Sequence, residues 1–295
     1  MSRIKLGCAP IAWVNDDMPV LGGATPYQQI LSEIALAGYE GTEVGNKYPT
    51  DVGVLTRELS LRGLRIAAAW HGCLLTTGNY AEEESLFLGF VDRMTALGAD
   101  CINICEQGRS IQAMRDRSVF DDKPVFDDEE WDRLAEGLNR FGALASRRGI
   151  RLVYHHHMGT GVQTGEEIDR LMAMTDPASL GLLVDNGHLL FAGESAQAVV
   201  DRHRDRIGHV HLKDIRPEVV ERARAGGMSF LDAILAGVFT VPGDGPTDFS
   251  SLVEPLVKSG YDGWFMVEAE QDPDVADPLE YALLARRYLA EELGV

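Results

Sequence analysis

The chain reads RGIRLVYHHH over residues 148–157, SLGLLVDNGH over 179–188 and RIGHVHLKD over 206–214. Each stretch is a short apolar run ending in polar, titratable side chains. The segments between them carry apolar residues at three- and four-residue spacing, the mark of a helix with one buried face. Apolar runs alternating with such helices read as parallel strands joined by right-handed crossovers.

Working outward, the same unit fills the chain. Strands are expected at Ile4–Ala9, Gly41–Val44, Arg65–Trp70, Cys101–Glu106, Arg151–His155, Leu180–Asp185, Ile207–Leu212 and Trp264–Glu268, eight in all. Helices are expected at Tyr27–Ala37, Ala81–Leu97, Asp128–Arg148, Glu166–Met174, Ala196–Arg202, Phe249–Lys258 and Pro278–Leu293. Several end in glycine (Ala37-Gly38, Leu97-Gly98, Arg148-Gly149, Ser259-Gly260), which supplies the left-handed residue that stops a helix. Eight units favour a single (β/α)₈ TIM barrel over residues 1–295 rather than an open sheet, and no G-x-G-x-x-G opens a helix. Two polar stretches, about 107–127 and 213–247, follow the fourth and seventh strands and are expected to be long loops over the active-site face.

The formal net charge of −19 speaks against nucleic acid and against an anionic membrane surface as partners. No apolar run reaches membrane-spanning length, and the N-terminus reads as a strand rather than a signal peptide. The four cysteines, Cys8, Cys73, Cys101 and Cys105, lack zinc-site spacing and read as buried thiols in a reducing compartment, so cytoplasm is expected. Barrels of this kind often pair, so a homo-oligomer is an open possibility, although the sequence carries no interface signature.

Chemistry concentrates where strands end. The fifth predicted strand ends in Tyr154-His155-His156-His157, the sixth in Asp185-Asn186-Gly187-His188. The seventh carries His209, His211 and Lys213 on one face, and the eighth ends in Glu268-Ala269-Glu270. A lone strand-end histidine is more often a hydrogen-bonded structural residue, and a strand-end aspartate as often caps the next helix. Four successive strands ending this way point instead to a divalent metal at the barrel mouth. Alternation turns His155 and His157 inward and His156 toward the helices. Glu43, Trp70-His71, Glu106 and Pro10–Trp13 close other strands, and each has a structural reading about as good as a pocket-lining one.

Asp185-x-x-His188, His211 and Glu268 resemble the xylose-isomerase-like family of sugar isomerases, epimerases and dehydratases, over essentially the whole chain. The resemblance implies a divalent metal on Glu, Asp, His and Glu from the last four strands. Asp185, His211 and Glu268 match, whereas the expected first Glu reads His155. Within that family the strings APIAWVNDDM (9–18), GTEVGNKYP (41–49) and YHHHMGTG (154–161) are similar to the inosose dehydratases. That similarity implies loss of water from a polyol ketone, 2-keto-myo-inositol, to a trihydroxycyclohexane-1,2-dione in inositol catabolism, with Mn²⁺ or Co²⁺ and with glutathione. It also implies that His188 orients or polarises the ketone. His157 is the first candidate acid or base, with Lys213 and Glu270 behind it; Trp13, Glu43, Gln163 and Arg216 are candidate sugar contacts. A histidine in place of one glutamate removes the symmetric acid–base pair an epimerase needs, while a dehydratase needs no such symmetry. Competing readings are a metal-dependent sugar or inosose isomerase or epimerase, a non-catalytic polyol-binding barrel, and an endonuclease of the same fold.

Overall fold

Valine-, isoleucine- and leucine-rich runs buried on both faces form the staves of a parallel barrel in the computed structural model, which describes residues 4–294. The ends of the expected single domain, residues 1–3 and 295, lie outside the described residues. The strands are β1 (Lys5–Cys8), β2 (Gly41–Glu43), β3 (Arg65–Ala68), β4 (Trp70–Cys73), β5 (Cys101–Glu106), β6 (Arg151–His155), β7 (Gly181–Asp185), β8 (Ile207–Leu212), a two-residue β9 (Asp214–Ile215) and β10 (Phe239–Thr240), and β11 (Trp264–Val267). The main sheet runs β3-β2-β1-β11-β8-β7-β6-β5-β4, every pair parallel.

The expected strand Arg65–Trp70 is split. Its first half pairs with β2 and its second half, extended to Cys73, pairs with β5. Ala69 is the joint, and the Asp100 N–H to Ala67 (3.1 Å) and Asn103 N–H to Ala69 (3.0 Å) bonds close the ring there. One stave thus serves both neighbours by bending, as barrel closure requires of strands that twist.

The described helices are α1 (Tyr27–Leu36), α2 (Val52–Ser60), α3 (Tyr80–Leu97), α4 (Asp128–Ser146), α5 (Gly165–Met174), α6 (Asn186–Ala192), α7 (Ala196–His203), α8 (Pro217–Gly226), α9 (Phe230–Leu235), α10 (Phe249–Lys258) and α11 (Pro278–Leu293). Local chemistry starts several of them: Asp127 with Glu130 and Thr164 with Glu167 form reciprocal capping boxes on α4 and α5. The 107–127 stretch holds no helix or strand. By contrast 213–247 is not a plain loop: Pro217 opens α8, Ser229 caps α9, and β9 pairs antiparallel with β10.

Alternation sorts the strand side chains. Val210 and Leu212 face the helix layer with Leu182, Val184, Leu152 and Tyr154. The lumen fills in tiers. Ala67, Trp264 and Met266 form one apolar plug and Ala68, Cys101, Val153 and Leu183 another. The indole of Trp264 reaches so far across that a Cβ on Gly41 would lie 2.5 Å from its ring, so only glycine fits there. Further along the strands the lumen turns polar, with Glu43, Asn103, His209 and His211.

Candidate active site

At the C-terminal ends of the strands a cavity of about 340 Å³ is walled by Glu43, Trp70, His155, His157, His211, Glu268 and Glu270, with Asp16, Asp17 and Gln112 among the loop residues around it. Asp185 ends β7 and does two things at once. Its Oδ1 accepts the His188 N–H (3.0 Å) and so caps α6, while Oδ2 lies 3.4 Å from His155 Nε2 and 3.3 Å from His211 Nδ1. Glu268 Oε2 lies 3.3 Å from the same His211 Nδ1.

These spacings test whether a cation fits. Bonds of about 2.1 Å put neighbouring donors about 3.0 Å apart at right angles and about 3.4 Å apart at the tetrahedral angle. The observed 3.3–3.4 Å separations fall in that range. His211 donates Nε2–H to Glu43 (3.0 Å), which leaves Nδ1 as the ring nitrogen aimed between two carboxylates. His155, buried, has no hydrogen-bond partner on either ring nitrogen. A ring nitrogen set between carboxylates and a buried imidazole beside Asp185 that makes no well-formed hydrogen bond are both satisfied by a divalent ion. His155, Asp185 and His211 therefore fit one, with Glu268 beside His211 as the adjoining carboxylate.

Without an ion the cluster balances itself with protons and with Lys213. Burial disfavours a charged His211, yet Glu268, Glu43 and Asp185 outweigh it and raise its pKa well above the usual range. Burial likewise opposes ionisation of Glu268, but His211 and Lys213 bring its carboxyl down to about 2. Lys213 is wholly buried, its Nζ 3.1 Å from Asp185, 2.7 Å from Glu268 and 2.8 Å from Glu270. Burial, opposed by Lys213 but aided by Glu268 and Asp185, pushes Glu270 up to about 7.

Several expected roles need correction. Lys213 does not reach the cavity wall: three carboxylates hold it beneath, as their counter-ion. His188 also lies off the cavity, its ring 3.9 Å from that of His157 and its Nε2 3.2 Å from Lys213. Trp13 is core, not a sugar platform, because its indole N–H donates to Glu33 on α1 (2.5 Å). Gln163 accepts from the Gly159 N–H (2.7 Å) and donates to Val119 O (3.2 Å), fastening two loops away from the cavity. Arg216 binds the carbonyls of Gly237 (2.9 Å) and Phe239 (3.0 Å) and the carboxylate of Asp244 (2.7 Å), tying β9 to the β10 segment. Glu106 accepts bonds from Leu75, Thr76 and Gly108, and His71 packs outward on Phe87 and Phe90, so neither lines the site. Glu43 does line it.

Sequence reasoning assigned nothing to Asp16, Asp17 or Gln112, which arrive from the loops after β1 and β5. Gln112 Nε2 donates to Asp17 (2.7 Å), and Asn15 accepts the backbone N–H groups of Asp17 and Met18 (both 2.9 Å), so the two loops are joined at the rim. The string Asn15-Asp16-Asp17 after the first strand carried that signal as an Asx turn.

The profile of the xylose isomerase-like TIM barrel family matches residues 31–291. The inosose dehydratase of Geobacillus thermodenitrificans is 55% identical over 294 residues, covering 100% of this chain and 99% of that protein. The chain belongs to the inosose dehydratases of the xylose isomerase-like TIM barrel family. The Clostridium perfringens (strain ATCC 13124) inosose dehydratase is 53% identical, again over 100% of this chain and 99% of the relative. The crystal structure of the IolI protein with a bound zinc atom superposes with a TM-score of 0.70 at 15% identity, covering 99% of this chain and 98% of that one, a likeness of fold.

Proposed function

We infer that this chain is a metal-dependent inosose dehydratase, a hydro-lyase that removes water from 2-keto-myo-inositol to give a trihydroxycyclohexane-1,2-dione in inositol catabolism. The observation that carries the reading is 50–55% identity over nearly the full length to several inosose dehydratases. His155, Asp185, His211 and Glu268 would hold the cation. Two imidazoles, two carboxylates and no thiolate suit Mn²⁺ or Co²⁺. When bound, such an ion supplies Lewis-acid stabilisation of charge developing on the ketone oxygen.

The proton transfers fall to the chain itself. His157 Nδ1–H donates to Met158 O (2.9 Å), so Nε2 carries the lone pair. Burial, with His155 and Lys213 nearby, holds its pKa well below the usual range, so the imidazole is neutral and accepts the α-proton. Glu270, at about 7, carries a proton part of the time near neutrality and gives it to the departing β-hydroxyl. A donor atom of each lies within 4.8 Å of the other, close enough to serve adjacent ring carbons. One proton taken and one hydroxide protonated account for the water lost; the enol left behind tautomerises to the dione. Lys213 holds Glu270, Glu268 and Asp185 in place. Asp16, Asp17 and Gln112 offer hydrogen-bonding groups to a polyol at the rim.

Cytoplasm is the proposed compartment, supported by four unpaired cysteines. Among the described residues no helix is long and apolar enough to cross a membrane. A protective role for glutathione finds no exposed thiol to guard, because all four are buried.

Mass spectrometry of Mn²⁺-loaded protein with 2-keto-myo-inositol, with and without chelator, tests the reading. A chelator-sensitive loss of one water is expected. An isobaric change would transfer the case to an isomerase or epimerase, and no change with metal bound would overturn the substrate.

A further inference from the structure

One oxygen in the site is unusually crowded. Glu43 Oε1 accepts three hydrogen bonds, from His209 Nε2 (2.8 Å), Asn103 Nδ2 (2.9 Å) and His211 Nε2 (3.0 Å). Behind His209 its other nitrogen, Nδ1, lies 3.4 Å from the thiol of Cys101. All five side chains are buried, with relative exposures of 0% for His209, 1% for Asn103 and His211, 2% for Cys101 and 6% for Glu43.

The protons along this chain can be assigned from both ends. A carboxylate only accepts, so the nitrogens of His209 and His211 that face Glu43 each carry a hydrogen. His209 Nδ1 is then a lone pair, and the Cys101 S–H is the donor in reach of it. His211 Nδ1 is the nitrogen turned toward Asp185 and Glu268, and it is the one that would yield its proton and offer a lone pair to a cation held between them. The Asn103 amide marks Glu43 Oε1 as a hydrogen-bond hub rather than an ion's ligand, since an amide N–H donates and does not coordinate.

We propose that His209 is a positioning residue for the metal centre: backed by Cys101 and flanking Asn103, it fixes Glu43 in the pose that locks His211 into its Nε2–H tautomer. This rests on the reading that His155, Asp185, His211 and Glu268 hold a divalent ion. Glu43 freed from His209 swings into the cavity, whose wall it already forms, and the His211 ring loses the acceptor that orients it. Outer partners of this kind set ring orientation and ligand basicity, and their loss costs about 10–100-fold in metal affinity.

The test is Co²⁺ titration of wild-type, His209→Ala and His209→Gln proteins, followed by visible absorption and by competition with a chelator. A glutamine amide reaches Glu43 much as imidazole Nε2 does. Affinity about 10–100-fold weaker in His209→Ala and substantially restored in His209→Gln is expected. Equal affinity in wild type and His209→Ala would overturn the proposal while leaving the metal reading intact; wild-type protein that takes no Co²⁺ would overturn both. Should His209→Ala fail to fold, ¹⁵N-histidine NMR of the unmutated, zinc-loaded protein decides. His209 protonated on Nε2 and His211 protonated on Nε2 with Nδ1 on zinc support the proposal, and the opposite tautomer of either refutes it.

Discussion

Replacing Lys213 with methionine should cost more stability than any surface charge change, and the cost should depend on metal. The ammonium is the counter-ion of Asp185 (3.1 Å), Glu268 (2.7 Å) and Glu270 (2.8 Å), and it also sits 4.9 Å from the Phe239 ring centre. Methionine keeps all but the last atom of its length and leaves buried carboxylates uncompensated. Removing one partner of a buried ion pair costs about 3–5 kcal/mol. Three carboxylates share this lysine, but Glu270, already at about 7, relieves part of the imbalance by protonation, which keeps the figure in that range rather than above it. At roughly 2 °C per kcal/mol for a chain of this size, the melting temperature should fall by about 6–10 °C in chelator. Added Mn²⁺ places positive charge between Asp185 and Glu268 and should recover much of the loss. The assay is a melting curve of Lys213→Met and wild type, each with chelator and with Mn²⁺. A fall of less than about 2 °C in chelator would refute the counter-ion role, since the carboxylates would then be neutral or hydrated.

His71 is packed against Phe90 and Phe87 with no partner for its Nε2, and burial lowers its pKa from 6.5 to about 4. The unfolded chain then binds this proton more tightly than the folded one. Its contribution is complete above about pH 6.5 and lost as pH falls toward 4, by at most about 3 kcal/mol. His71→Phe should flatten urea-unfolding stability across that window, and an unchanged pH slope would count against it. Glu106→Ala leaves the Leu75 and Gly108 amides and the Thr76 hydroxyl without their acceptor, so the denaturation midpoint should report a loss of about 3–5 kcal/mol. His157→Ala should retain bound metal by elemental analysis and lose about 10²–10⁴ in turnover; normal turnover would remove His157 from the proton transfers.

The barrel was legible because its staves are apolar runs of a kind that only a sheet covered on both faces can bury, and seven of the eight expected strands appear within a residue or two of their bounds. The break at Ala69 was not, since it arises from two neighbouring strands competing for one stave. Helix α2 escaped because only Leu55 and Leu59 are buried along it, too few to show a period. In the site, strand-end position and alternation gathered titratable side chains at one barrel mouth, and the family resemblance singled out His155, Asp185, His211 and Glu268 among them. They failed where a competing partner decides direction: Glu33 takes the Trp13 indole, the Gly237 and Phe239 carbonyls take Arg216, and three carboxylates draw Lys213 under the floor. The Cys101–His209–Glu43 chain joins β5, β8 and β2, and nothing in linear spacing foretells which of those lumen residues meet.

The charge of the buried cluster bears on why a histidine suits the position where the family pattern has a glutamate. Asp185, Glu268 and Glu270 converge on one buried lysine and Glu43 joins them through His211, so with all four ionised the cluster carries a large negative excess. A divalent ion removes most of that excess and a proton on Glu270 the rest, which is the protonation state a general acid requires. A fifth carboxylate at position 155 would leave the excess uncancelled and drive another proton onto the site. A neutral imidazole there keeps a donor for the ion without adding charge. The same substitution that removes a symmetric pair of glutamates thus leaves Glu270 as the carboxyl poised near neutrality, suited to protonating a leaving hydroxyl once per turnover.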